Sequence, residues 1–310
     1  YSFTQLAQAD AGSEGDTDAA ATEAPAAAAD EPAGGELPLE PAVPAEDAAA
    51  DAPDPRFMGS RFGNVLHGAL ENTDFAAWGG WQPGDDAPEG QDLILRVALR
   101  AEGYADEDLD EGVAVLVPLV GHTLTVALPE GGALHSLGIH QRRAEIEFHF
   151  ALQPTAVSDL LEVLHAHGIV RERRGFGLRR RLEGLMTGKI DLTYVRDDRW
   201  YVLDYKSNRL PGYSTGLLEA AMRHSEYDLQ ALVYTVALHR WLRFRLGSGY
   251  DYTRDMGGIR YLFCRGLGVP GEGVYSRTFA PELVDALDAL FAGGPAQQAV
   301  LAARARGENV

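Results

Sequence analysis

Apolar and polar positions alternate most sharply over residues 188–208. Residues 188–195 and 200–208 are rich in β-branched and aromatic side chains, and the polar four Arg196, Asp197, Asp198 and Arg199 separate them. This pattern predicts a β-hairpin closed by a four-residue turn. Upstream, Phe62, Val65, Leu66, Ala69 and Leu70 recur at helical spacing. Residues 109–128 read as a helix with acidic residues at its start, and Pro118 is set to break or kink it. Residues 144–150 alternate as a strand, with Glu145, Glu147 and His149 on one face. An amphipathic helix is expected over 157–167, the clearest helix of the chain over 225–242, and a further strand from Ile259. Residues 281–292 and 295–306 read as closing helices, each with proline in its first turn. Trp78 and Trp81 fall in a loop and are expected to pack.

Composition divides the chain in two. The 310 residues carry a formal net charge of −19, yet residues 1–55 hold 13 Asp or Glu and no Lys or Arg. The remainder has 33 acidic and 27 basic residues, a net of −6. Residues 1–55, rich in Ala, Pro, Asp and Glu, cannot bury enough apolar surface to offset chain entropy. They read as a disordered, self-repelling linker, ahead of one folded domain over 56–310. The chain opens on Tyr1 rather than methionine, which reads as a fragment or a processed chain. Cys264 is the single cysteine, so there is no disulfide framework and no four-cysteine iron–sulfur cluster. No apolar run approaches the roughly 18 residues of a membrane span, and no basic segment leads an apolar one. A cytoplasmic protein with no membrane contact is the expectation. A modest net charge means that any nucleic-acid site is a local patch. The densest positive cluster, six arginines between Arg171 and Arg181, lies just before the hairpin. Its guanidinium forks suit phosphate oxygens, Arg179, Arg180 and Arg181 above all.

The hairpin carries the chemistry. Asp204 and Lys206, at i and i+2, share a strand face, and Tyr205 points away. If Asp191 lies at the same end of the hairpin, two carboxylates and an ammonium converge. Adjacent carboxylates are costly unless a cation sits between them, and a hard cation such as Mg²⁺ takes oxygen ligands. A lysine beside it can position a water or stabilise developing negative charge. The plainer alternative is a surface hairpin with a cross-strand ion pair. Two other patterns carry no chemistry. Gly184–Ile190 has the wrong spacing for a phosphate-binding loop, and Gly266-x-Gly268-x-x-Gly271 contains Pro270 and no following helix.

The strings Gly188-x-Ile190-Asp191 and Leu203-Asp204-Tyr205-Lys206-Ser207-Asn208 resemble the core motif of the PD-(D/E)XK nucleases. Within that superfamily the chain resembles the C-terminal nuclease domain of RecB, the β subunit of exodeoxyribonuclease V. The resemblance extends to Gly63–His67, Glu145-Ile146-Glu147-Phe148 and Gln230-x-x-x-Tyr234, and it covers most of residues 56–310. It implies an α/β fold with a restriction-endonuclease-like core, a small mixed sheet flanked by helices. It implies that His67, Asp191, Asp204 and the Tyr205 backbone carbonyl ligate Mg²⁺. It implies that Lys206 activates or positions the water, and that Gln230 and Tyr234 lie at the active site, contacting DNA or orienting Lys206. Glu147 is a possible accessory group near the site.

By the same resemblance the activity is hydrolysis of DNA phosphodiesters, leaving a 5′-phosphate and a 3′-hydroxyl. The setting is recombinational repair of double-strand breaks, on linear single- or double-stranded DNA, with RecC-like and RecD-like subunits. The helicase motor that precedes this point in RecB-like proteins is not encoded here. Two rivals stand beside this reading: a catalytically silent nuclease fold used for DNA binding or docking, and a stand-alone phage-type exonuclease.

Overall fold

The computed structural model describes Tyr1 and residues 54–293. Most of the acidic lead segment and the helix expected over 295–306 lie outside the described residues. Three helices come first: α1 (Gly59–Asn72), α2 (Gln91–Ala101) and α3 (Leu109–Thr125). Strand β1 (Arg142–Ala156) and helix α4 (Val157–Ala166) follow, then the hairpin β2 (Arg181–Arg196) and β3 (Arg199–Lys206). Helices α5 (Thr215–His224) and α6 (Tyr227–Leu246), a single turn α7 (Tyr252–Asp255), β4 (Met256–Phe263), β5 (Val274–Arg277) and α8 (Pro281–Ala292) complete the fold. The sheet runs in the order β1-β2-β3-β4-β5. Only the β3–β4 pair is parallel, so the sheet is mixed and flanked by helices, as the resemblance implies. No helix among the described residues is long and apolar enough to cross a membrane.

Each face of the sheet is covered by its own apolar layer. Leu192, Tyr194, Tyr201, Leu203 and Tyr205 pack against α1, α2 and α3. Met186, Ile190, Val202, Ile259 and Tyr261 pack against α4, α5, α6 and α8. Residues 227–239 of α6 are buried without interruption. That helix is therefore the centre of its layer rather than a half-exposed amphipathic one. Trp78 and Trp81 are buried, the second directly against Gly121, where a Cβ would fall 2.5 Å from the indole. Both pack, as their position predicts, although their segment is a short 3-10 helix (Phe75–Gly80) rather than an irregular loop.

Helix α3 runs through Pro118 unbroken. Pro118 and Ala114, whose carbonyl loses its helical partner, both lie on the exposed side, where water replaces the missing donor. The hairpin turn is tighter than its four polar residues imply. Arg196 pairs with Arg199, so the loop is two residues, Asp197 and Asp198, both left-handed with φ of 50° and 61°. That is the primed turn whose twist matches the flanking strands.

The six arginines do not form one basic face. Arg173 is buried and grips Glu226 with two hydrogen bonds, Nε to Oε1 at 2.7 Å and Nη2 to Oε2 at 2.6 Å. Glu226 has a left-handed φ of 53° and caps α6. Arg173 is thus spent on fixing where α6 starts, whereas Arg179, Arg180 and Arg181 are exposed and lead into β2.

Candidate active site

Asp191, Asp204 and Lys206 come together at the open end of the hairpin. The register that pairs Leu192 with Leu203 sets Asp191 beside Asp204. Strand alternation puts Asp204 and Lys206 on one face, and the Lys206 ammonium lies 2.7 Å from Asp204 Oδ2. Asp191 Oδ2 accepts the Tyr205 backbone N–H at 2.8 Å. From the opposite layer, α1 brings His67 Nδ1 to 3.3 Å from Asp191 Oδ1. All three hairpin residues are buried, Lys206 to 1% exposure.

Asp191 belongs to a local change of phase. On β2, Ile190 faces the α6 layer, but Leu192 and Tyr194 face the α1–α3 layer. Strict alternation would put all three on one side. On β1, Phe148 and Phe150 pack toward α6 while Arg142 stacks over Phe75 at 3.6 Å on the other face. Glu145 is the residue opposite Asp191 between the paired positions Ala144–Leu192 and Ile146–Ile190, and its φ is +55°. Both strands therefore switch faces at one rung. The predicted sharing of a face by Glu145, Glu147 and His149 fails for this reason. Glu145 turns inward to an ion pair with Lys189, whereas Glu147 and His149 stay on the exposed side of β1.

Lys206 is fixed from the helix side. Its ammonium donates to Gln230 Oε1 at 3.2 Å, and the same oxygen accepts from the Tyr261 hydroxyl at 2.9 Å. Gln230 Nε2 donates to the Tyr234 hydroxyl at 3.0 Å. The amide is held at both ends, so its oxygen faces the lysine. The Tyr227 and Tyr261 rings lie 4.1 and 5.4 Å from the ammonium, in cation–π range. Tyr227 donates in turn to Asn208 Oδ1 at 3.1 Å, which ties the end of the Asp-Tyr-Lys-Ser-Asn string to α6. Gln230 and Tyr234 are fully buried, which fits orienting Lys206 better than touching a strand of DNA. Sequence reasoning missed Tyr227 and Tyr261. Tyr261 sits beside Asp204 on the parallel neighbour β4, and knowing that strand order would have found it.

The two carboxylates differ in charge behaviour. Burial pushes Asp204 up to about 7; Lys206 opposes that shift and the Asp191 charge adds to it. Burial opposes ionisation of Asp191 as well, but His67, Lys206 and the Tyr205 N–H outweigh it and hold the carboxyl below the usual range. Two buried carboxylates that resist being charged together are what a bound cation relieves. Two carboxylates and an imidazole also suit a divalent ion. In this arrangement they meet pairwise, Asp204 on Lys206 and His67 on Asp191. Among the described residues no three His, Cys, Asp or Glu side chains form a finished metal cage. A cation would draw Asp204 from the lysine.

The sequence profile of the PD-(D/E)XK nuclease superfamily matches residues 44–299 of the chain. The chain is similar to the RecB subunit of the RecBCD enzyme from three bacteria. Identity to the Mycolicibacterium smegmatis protein is 31% over 291 residues, covering 80% of this chain and 25% of the relative. For Escherichia coli it is 31% over 254 residues, 78% of this chain and 20% of the relative. For Haemophilus influenzae it is 32% over 240 residues, 75% and 18%. The chain thus spans a quarter or less of the length of these relatives.

Tyr205 lies under the site with its ring 6.1 Å from His67, and its buried hydroxyl has no hydrogen-bond partner. An unmet buried hydroxyl costs about 1–3 kcal/mol. Tyr205→Phe is expected to leave the unfolding midpoint in urea unchanged or raise it. A fall of more than about 1 kcal/mol would mean that the hydroxyl is bonded in the folded protein.

Proposed function

The chain belongs to the PD-(D/E)XK nuclease superfamily, and on that premise we propose that it is a metal-dependent deoxyribonuclease. It acts as the nuclease portion of a RecB-like subunit, hydrolysing linear DNA during recombinational repair of double-strand breaks. RecC-like and RecD-like subunits are its partners, and its compartment is the cytoplasm. The observation that carries this reading is the buried Asp191–Asp204–Lys206 cluster with Lys206 locked by Gln230.

In the proposed mechanism His67, Asp191, Asp204 and the Tyr205 carbonyl hold Mg²⁺. When bound, the ion supplies Lewis-acid stabilisation of charge on the phosphate and lowers the pKa of a bound water. Asp204 and Asp191 hold the negative charge that selects a cation over an anion at this end of the hairpin. Lys206 holds a positive charge toward the reacting phosphate and positions the attacking water by hydrogen bonding. Its aromatic surroundings keep bulk water from screening that charge. Gln230, Tyr234 and Tyr261 orient the lysine. The exposed Arg179, Arg180 and Arg181 contact the DNA backbone and add affinity without reading sequence.

Digestion of linear DNA in Mg²⁺ tests the assignment. Asp204→Ala and Lys206→Ala are each expected to lower the rate by about a hundredfold or more, and a chelator to stop the parent. Parent-rate cutting by either variant would sink it. Tyr261→Phe removes one hydroxyl and leaves the ring over Lys206. It is expected to lower kcat about tenfold with KM unchanged, since the loss is one hydrogen bond holding the Gln230 amide. A rise in KM with kcat intact would place Tyr261 in substrate binding instead.

A further inference from the structure

Where α6 crosses β1 and β2, helix and sheet leave a cavity of about 310 Å³ between them, large enough for a small planar group. Phe148 and Phe150 of β1 line it from the sheet, and Trp241 and Phe244 of α6 from the helix. The two phenylalanines stack nearly parallel, 5.9 Å apart with a 16° tilt, so the sheet presents a flat aromatic surface. Phe244 is 85% exposed and Trp241 is half-buried, leaving aromatic surface open to solvent. Flat aromatic surfaces take planar partners by stacking.

The polar groups in the cavity fit a base rather than an aliphatic side chain. Thr193 of β2 also lines it; the residue is fully buried and its hydroxyl has no hydrogen-bond partner. A buried hydroxyl in that state has room to gain from a ligand that offers a hydrogen-bonding edge. Glu147 and His149 line the cavity as well and add groups able to meet the edges of a base. Arg240 stands 4.5 Å from the Phe150 ring. It shares Asp288 with Arg243, so two guanidiniums face one carboxylate and a net positive charge remains.

Position links the cavity to the chemistry. Thr193 is two residues from Asp191 along β2, a step of about 7 Å. Phe148 packs edge-on against Tyr234 at 5.8 Å, and Tyr234 accepts from the Gln230 amide that holds Lys206. The aromatic surface and the lysine platform are therefore continuous. We propose that this cavity is a base-binding pocket. It takes one unpaired nucleobase of single-stranded DNA, stacked on Phe148, Phe150 and Phe244, and so holds the strand across the catalytic hairpin. The proposal rests on the reading of the chain as a DNA nuclease. It gives Glu147, His149 and Thr193 a role separate from metal binding.

The test uses the full chain with Ca²⁺ in place of Mg²⁺, and two oligonucleotides of equal length, one of ordinary thymidines and one abasic throughout. Base stacking predicts that the parent binds the thymidine strand about tenfold tighter than the abasic one. Phe244→Ala, at an exposed position, loses about tenfold on the thymidine strand and nothing on the abasic strand. Thr193→Val weakens the thymidine strand while keeping or raising the unfolding midpoint, an outcome that a purely structural hydroxyl would not give. Equal binding of both strands by parent and variants overturns the pocket, while cleavage lost in Asp204→Ala leaves the nuclease reading standing. If the parent neither binds nor cuts either strand, the nuclease reading fails, and the pocket with it. Phe244→Ala that changes only the mass in sedimentation overturns it too, because the cavity then seats a second copy of the chain.

Discussion

A buried lysine is the constraint on which this fold turns. Lys206 is 1% exposed, and an ammonium in that position is stable only if every side of it is compensated. Asp204 supplies charge, Gln230 a hydrogen-bond acceptor, and Tyr227 and Tyr261 ring faces. These partners come from β3, α6 and β4, so the sheet order and the seating of α6 are both committed to one side chain. The Arg173–Glu226 pair belongs to the same commitment, since it fixes the first turn of the helix that carries Gln230. Asp204 serves two masters in this scheme: it neutralises Lys206, and it is one of two carboxylates that a cation would bring into register.

The rung at Glu145 and Asp191 does the second piece of geometric work. A regular β2 would send Leu192 and Tyr194 to the same side as Ile190 and leave one apolar layer without its sheet contacts. Switching faces at one rung lets β2 pack against α6 at its start and against α1–α3 at its end. It also sets Asp191 at the crossing point, where it meets His67 from one layer and the Tyr205 N–H from the next strand. A left-handed φ at a glutamate is uncommon and is paid for by the surrounding pairing.

Much of this was legible in the sequence. Period-two alternation placed Asp204 and Lys206 on one face, helical spacing found α1 and α6, and the resemblance tied His67, Gln230 and Tyr234 to the hairpin. What escaped has physical reasons. No residue type marks the phase change at Glu145, because the pairing of both strands imposes it. Arg173 reads like its neighbours in a basic run, and only the fold reveals that Glu226 claims it. β5 lies just after the Gly/Pro-rich stretch 266–273, which scores as loop, and it holds as a four-residue edge strand because β4 offers it a ladder. Tyr261 lay in a strand that was foreseen, but its place beside Asp204 depends on a parallel pairing that local pattern does not encode.

The account stands or falls on the two carboxylates forming a cation site that Lys206 serves without belonging to it. Calorimetric titration of the folded chain with Mn²⁺ tests that directly, with no DNA present. The account predicts that Asp191→Asn abolishes binding and that Lys206→Met keeps or tightens it, because Asp204 is then released from its ion pair. Binding unchanged in Asp191→Asn, or lost in Lys206→Met with the fold intact, would contradict it.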